Sequence, residues 1–389
     1  MRVLHTSDWH LGRSFHGVDI LEHQRAFVTW LIELVETERI ELVVVAGDVY
    51  DRAVPSLAAV SAWEQAVIGI TRTCPMLVTS GNHDSPTRLG FAGPLLAQSG
   101  LHLRTSLEDI GNPLIVEGAD GVSVAAYGVP YLEPDFHREE LGAERSHASV
   151  LNAAMDRVRA DLAQRGDVRS LVAAHAFITG GTDSAVVSES ERDLRVGGIG
   201  DAPASVFAGV DHVALGHLHG AQEVRGSPDA TSVAYSGSPL AFSFSEESHV
   251  KSVTVLDVAA TGPVEVRRIA APVPRALVTL RGVLEEIVCD PGTAAYANHW
   301  VRVVLTDERR PADPMTRLRE VLPFAIDLSF DQRALTAVEA ADASGARTRD
   351  PLAIAEAFVE HVTATPAEPV ERDLLRDAVE RIRVGEVPR

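Results

Sequence analysis

Short apolar runs alternate with amphipathic stretches along the N-terminal part of the chain. Arg2–Thr6, Leu42–Ala46 and Met76–Thr79 are strand-length and apolar, and they predict buried strands. Between the first two, Leu21, Phe27, Trp30, Leu31, Leu34 and Val35 fall at helical spacing within about Leu21 to Glu38. A second helical pattern covers Ala58–Ile70. Strand, helix, strand, helix, strand is the signature of α/β layering. Further strands are expected at Val122–Tyr127, Leu171–Ala174, Val210–Leu215, Ser232–Tyr235 and Lys251–Val258. From about Pro274 the rhythm changes. Leu277–Leu280, Trp300–Leu305 and Ala325–Phe330 suit a small α+β domain, and Asp350–Val384 is charged and helical, split by Thr365–Pro369. No internal repeat and no low-complexity tract interrupts this plan.

The polar residues gather where the strands end. Asp8 and His10 follow the first apolar run, Asp48 the second and Asn82 the third, while His175 and the pair His217 and His219 follow two later ones. In α/β sheets this edge is where sites are built. Any one of these motifs alone has an ordinary structural reading, a cap or a turn. Together they form a mixed set of imidazoles, carboxylates and one amide. Such a set suits manganese, iron or zinc rather than calcium alone, and seven ligands suit two ions sharing a carboxylate. The remaining histidines (His5, His16, His23, His102, His137, His147, His212, His249, His299 and His361) lack that pattern and are read as core, surface or capping groups.

Composition narrows the field. At 389 residues and 46% hydrophobic content the chain can bury a sizeable core in two or three domains. Cys74 and Cys289 form neither a disulfide framework nor a metal-type pair. The N-terminus lacks a signal-peptide core and no window approaches ~20 apolar residues, so a cytoplasmic protein away from membranes is expected. The formal charge of −20 argues against a passive, sequence-blind DNA binder, which is ordinarily basic.

The strand-end phrases run HTSDWHLG from His5, AGDVYD from Ala46, GNHDSP from Gly81, GHLH from Gly216 and YSGSP from Tyr235. In these the sequence resembles the calcineurin-like metallophosphoesterase superfamily and, within it, the bacterial SbcD family of nuclease subunits, over essentially the whole chain. The resemblance implies a four-layer α/β fold, a β-sandwich flanked by helices, with a nuclease domain over 1–272. A small α+β capping domain for DNA recognition would cover 273–345, and a C-terminal helical segment over 346–389 would dock the ATPase partner SbcC. It implies one metal held by Asp8, His10 and His219, the other by Asn82, His175 and His217, with Asp48 bridging. Manganese would be the resident ion. His83 would face the scissile phosphate, with the Asp51 carboxylate orienting it, and Arg52 is a candidate phosphate contact or a surface ion pair. The expected activity is exonuclease on duplex DNA ends (3'-5') and endonuclease on single strands and hairpins. It would work in a heterotetramer of two nuclease and two ATPase chains and serve DNA recombination and repair. Helices at Ser56–Ile70 and Arg88–Gln98 resemble the family's homodimer elements.

Two other readings share much of the pattern. A phosphoesterase acting on small nucleotides or phosphoproteins has the same chemistry but little use for a long extension after Pro274. A non-catalytic scaffold would keep the fold without needing the full ligand set.

Overall fold

The computed structural model describes residues 1–179, 188, 201–225, 231–331, 351–363 and 368–384. Two compact units make up the chain, Met1–Val278 and Thr279–Arg389. Along the first unit come β1 (Arg2–Thr6), α1 (Leu21–Thr37), β2 (Leu42–Ala46), α2 (Leu57–Thr71), β3 (Met76–Thr79), β4 (Leu101–Arg104), β5 (Leu114–Glu117) and β6 (Ser123–Val129). They are followed by α3 (His147–Leu162), β7 (Arg169–His175), β8 (His212–Gly216), β9 (Gln222–Glu223), β10 (Ser232–Tyr235), β11 (Ser252–Asp257) and β12 (Glu265–Ala270).

These strands form two six-stranded sheets, ordered β12-β11-β1-β2-β3-β4 and β9-β10-β8-β7-β6-β5. In the first, β1 through β4 run parallel and β11 and β12 pair antiparallel at one edge. In the second, β6, β7, β8 and β10 run parallel, with β5 and β9 antiparallel at the two edges.

Alternation along β2 shows how the layers are held. Leu42 and Val44 join Val3, Leu77, Leu171 and Ala214 in a core cluster built from residues of both sheets. Val43 and Val45 belong instead to a cluster with Phe27, Leu31 and Ala66 of α1 and α2. The second sheet has its own outer cluster, with Val150, Ala154 and Met155 of α3 against Val172, Val213 and Tyr235. The result is helix, sheet, sheet, helix, the four-layer α/β plan expected from the sequence. Each fully buried valine or leucine contributes roughly 1.5–3 kcal/mol, so the interior β2 is a large share of what fixes its position.

One expected helix is absent. The stretch Arg88–Gln98 is broken into two single-turn helices, Pro86–Leu89 and Gly93–Leu96, and a 3-10 turn, Ala97–Ser99. The break falls where Ala92 adopts a left-handed backbone (φ 58°), which an L-residue cannot hold inside a helix.

The second unit carries a three-stranded sheet in the order β13 (Leu277–Gly282), β14 (Trp300–Leu305) and β15 (Ala325–Phe330), with β14 and β15 parallel. Helices α4 (Leu284–Cys289) and α5 (Pro314–Val321) accompany it, and α6 (Pro351–Thr363) and α7 (Pro369–Val384) follow. Residues 332–345 of the expected capping segment, residues 365–367 of the expected helix break and the His361 side chain lie outside the described set.

Candidate metal centre

The parallel strands β1, β2 and β3 of one sheet and β7 and β8 of the other end at a common edge. Their C-terminal residues bring Asp8, His10, Asp48, Asn82, His175, His217 and His219 together. The junction is tight. His175 donates from Nδ1 to the Ala46 carbonyl at 2.9 Å, and the backbone of Gly216 lies against that same oxygen, where a Cβ would overlap it. Asp8, His10, Asp48 and His217 all hold positive φ, at 54°, 44°, 50° and 110°. Such conformations cost on the order of 1–3 kcal/mol each and persist only where the surroundings impose them.

Those surroundings are hydrogen bonds. The Asp8 carboxylate accepts from the His217 backbone N–H at 3.0 Å, and Asp48 Oδ1 accepts from the His83 N–H at 2.9 Å. The Asp84 carboxylate accepts from the N–H groups of Gly81, Val49 and Tyr50 at 3.0, 3.1 and 2.9 Å, clamping the β2 and β3 loops together. Burial and the neighbouring Asp48 push its carboxyl up to about 7. From below, Gln24 of α1 donates to the Trp9 and His10 carbonyls at 3.1 and 2.7 Å and accepts from the Gly12 N–H at 2.9 Å. Trp9 is wholly buried, edge-on to Phe27 and Trp63, and its indole N–H donates to Thr6 Oγ1.

Within the cluster, Asp48 Oδ2 lies 3.6 Å from His10 Nε2 and 3.5 Å from His175 Nε2, between the two groups of imidazoles. Asn82 Oδ1 is 3.0 Å from His175 Nε2 and 3.2 Å from His217 Nδ1. His10 Nε2 and His219 Nε2 face each other at 3.2 Å. Burial, reinforced by neighbouring imidazoles, holds His10 and His217 well below the ordinary histidine range, and burial also lowers His175. These rings are therefore neutral at physiological pH, the form that ligates metals. The far side of His219 sets its tautomer: Nδ1 lies 3.3 Å from the Glu246 carboxylate, which leaves a lone pair on Nε2. Lone pairs and carboxylates converging on one buried point call for a cation. Asp8, His10 and His219 form one group whose ligand atoms lie within 4.8 Å of each other, and Asp8, Asp48 and His175 form another. The residues fit a pair of divalent ions.

His83 stands beside this cluster, half-buried, its ring 4.7 Å from that of His10. Its Nδ1 donates to the main-chain carbonyl of Asp51 at 2.9 Å. This corrects the expectation that the Asp51 carboxylate orients it. That carboxylate instead lies 3.7 Å from His10 Nδ1 and 3.3 Å from the Arg13 guanidinium. Asp51 and Arg13 border a groove of about 620 Å³ whose lining also includes Arg52 and Ser56. Arg52 is mostly exposed and pairs with Asp51 at 3.5 Å. Arg13 also lies over the Phe242 ring, 5.0 Å from its centroid.

With this geometry in place, the comparisons with known proteins decide the family. The calcineurin-like phosphoesterase family matches residues 1–221. The chain belongs to the calcineurin-like phosphoesterases. This phosphoesterase is a phosphodiester hydrolase that uses divalent metal. Its residues 273–363 match the SbcD C-terminal family, described as the type 5 capsule protein repressor C-terminal domain. It is 29% identical over 331 residues to the D subunit of nuclease SbcCD from Staphylococcus epidermidis, covering 85% of each chain. Among solved structures, the calcineurin-like phosphoesterase YfkN from Bacillus subtilis aligns at 13% identity with a TM-score of 0.40, over 69% of this chain and 90% of that one. TT1561 of Thermus thermophilus aligns at 12% and 0.39, over 69% and 98%.

Three features escaped the sequence reading. Gln24 sits three residues after Leu21 in the buried stripe of α1, and a polar residue in an apolar stripe was a usable signal. Glu246 and Lys251 form a buried ion pair behind His219, with Lys251 Nζ 2.5 Å from Glu246 Oε2. Burial alone would raise the Glu246 carboxyl, but Lys251 and His219 hold it below the usual carboxylate range. Here too a signal existed, because Lys251 is the only lysine in the sequence; every other member of the 35 Lys plus Arg is arginine.

Proposed function

We propose that this phosphoesterase is a manganese-dependent DNA nuclease of the SbcD type. It acts 3'-5' on duplex ends and endonucleolytically on single strands and hairpins, in DNA end processing, recombination and repair. The observation that carries this reading is the match of a phosphoesterase domain and an SbcD C-terminal domain, in that order, on one chain. The likeness to the D subunit of nuclease SbcCD along most of both chains supports it. We assign the nuclease role to residues 1–272, DNA recognition to 273–345 and partner docking to 346–389. The partner is the ATPase SbcC, two copies of it with two nuclease chains, the latter paired as a homodimer. The setting is cytoplasmic, and no helix among the described residues is long and apolar enough to cross a membrane. With a formal charge of −20, most of the phosphate-binding surface falls to the partner.

In this reading Asp8, His10 and His219 hold one ion, Asn82, His175 and His217 the other, and Asp48 stands between them. Two manganese ions, when bound, supply charge neutralisation on the phosphoryl oxygens and a nucleophile at neutral pH. The protein supplies the rest. Its buried neutral imidazoles and clamped loops fix the donor set before substrate arrives. The Asp51 carbonyl holds His83 Nδ1–H, so in the protonated ring Nε2–H is the free donor, and it delivers a proton to the leaving oxygen. Arg13 and Arg52 border the adjoining groove and contact a flanking phosphate. The test is incubation with manganese and either labelled hairpin DNA or bis-p-nitrophenyl phosphate, with and without the ATPase partner. Cleavage of both substrates is expected. Hydrolysis of the small ester with intact DNA throughout would contradict the nuclease reading and leave a phosphoesterase for small substrates.

A further inference from the structure

Lys251 and Glu246 take no part in the chemistry above, yet both are almost completely buried directly behind His219. A buried ion pair is expensive to desolvate, and a pair of apolar residues would often be as stable or more so. Its presence is therefore not explained by stability. The lysine makes three contacts: Glu246 Oε2 at 2.5 Å, Ser238 Oγ at 2.9 Å and the His219 carbonyl at 3.0 Å. Three acceptors around one point match the three donors of an ammonium, and the planar fork of arginine cannot reproduce them. In a chain whose other basic residues are all arginine, this is the one position that retains lysine. The other carboxylate oxygen, Glu246 Oε1, faces His219 Nδ1 at 3.3 Å. Lys251 thus grips His219 at its main chain and, through Glu246, at its ring.

We infer that the Glu246–Lys251 pair is a positioning device that fixes the tautomer and orientation of His219 and thereby raises the affinity of the ion it helps to hold. The inference rests on the reading of His219 as a ligand. The opposite ligand has a weaker counterpart: His10 Nδ1 lies 3.7 Å from Asp51, itself paired with Arg13, at the rim of the groove. Of these two pairs, the one behind His219 is sealed from water and the other is partly exposed.

The test is manganese titration of the full chain by calorimetry, with no substrate present, so that its outcome is independent of whether the protein cleaves DNA. Glu246→Gln is expected to weaken binding by about 10–100-fold, the usual effect of losing the carboxylate behind a ligating histidine, with ester hydrolysis recovering at saturating manganese. Lys251→Arg is expected to fall in the same range instead of rescuing. Glu247→Gln, on the exposed neighbour, should change nothing. Because Glu246→Gln leaves a buried ammonium unpaired, the double variant Glu246→Gln with Lys251→Met keeps the test decisive, since it buries no unpaired charge. Weak manganese binding by the folded double variant supports the positioning role. Wild-type affinity in either folded variant overturns it, as does a loss of melting temperature in EDTA that accounts for all of the lost binding.

Discussion

His83 is set apart from its neighbours by what its ring touches. Asn82, His175 and His217, and likewise His10 and His219, bring side-chain atoms within 3.2 Å of a partner in the set, whereas His83, whose ligand atom lies within 4.8 Å of those of His10 and Asp48, is held at Nδ1 by a main-chain carbonyl. His83→Ala is therefore expected to bind manganese as the wild type does and to lose about 10²–10⁴-fold in kcat on bis-p-nitrophenyl phosphate, the usual worth of a general acid. Equal loss of metal in a titration would show that it is a ligand. At this scale the sequence was informative because each candidate ligand directly follows an apolar run, so position along the chain implied position in space. It was misleading for Asp51. The family resemblance implied a carboxylate contact, but the turn presents its carbonyl to His83 and aims the carboxylate at His10 and Arg13. Glu246 was invisible as a partner of His219, since a contact across 27 positions leaves no periodic trace.

The interior strands were legible to within about two residues, whereas the four edge strands of the two six-stranded sheets, β4, β5, β9 and β12, matched no expected strand. Arg2–Thr6, Leu42–Ala46 and Met76–Thr79 coincide with observed strands because they are buried on both faces and bounded by polar turns. Helix α3 went unmarked, because its buried stripe is only Val150, Leu151, Ala154, Met155 and Val158 among charged residues. The stretch Arg88–Gln98 failed in the other direction: its apolar residues suited a helix, but the backbone reverses at Ala92. How the strand ends meet was also beyond periodicity, and it rests on single glycines. A methyl group at Gly216 would overlap the Ala46 backbone oxygen, which no side chain can relieve. Gly216→Ala should thus separate the ends of β2 and β8, lowering stability by about 1–3 kcal/mol and weakening manganese binding. Denaturant unfolding with a parallel metal titration checks this, and an unchanged affinity would mean that the two sheet edges are not rigidly coupled.

For the whole molecule, acid sensitivity follows from the space between the sheets. His5 and His212 are fully buried there, and neither nitrogen of His212 has a hydrogen-bond partner among the described residues. Burial lowers His212 to about 4; burial, with His212 nearby, lowers His5 to about 3. The unfolded chain takes up protons as pH falls below about 6.5, while the folded chain does not until far lower. Their contribution is therefore intact above that value and is lost as pH falls toward 4, by about 2 kcal/mol for each histidine at pH 5. His212→Leu should raise stability at pH 7.5 and flatten the decline between pH 7.5 and 5 measured by denaturant unfolding; a decline as steep as the wild type's would rule out His212 as its source. Underneath lies the plan of the whole chain: with a formal charge of −20, it gathers its candidate ligands at one common sheet edge.

The most direct measurement is an anomalous difference map from crystals of the full chain soaked in manganese. Two peaks are expected roughly 3.5–4 Å apart. One should lie among Asp8, His10 and His219, the other among Asn82, His175 and His217, with Asp48 between them. A single peak, or two that leave Asp48 outside the bridge, would contradict a two-metal phosphodiesterase.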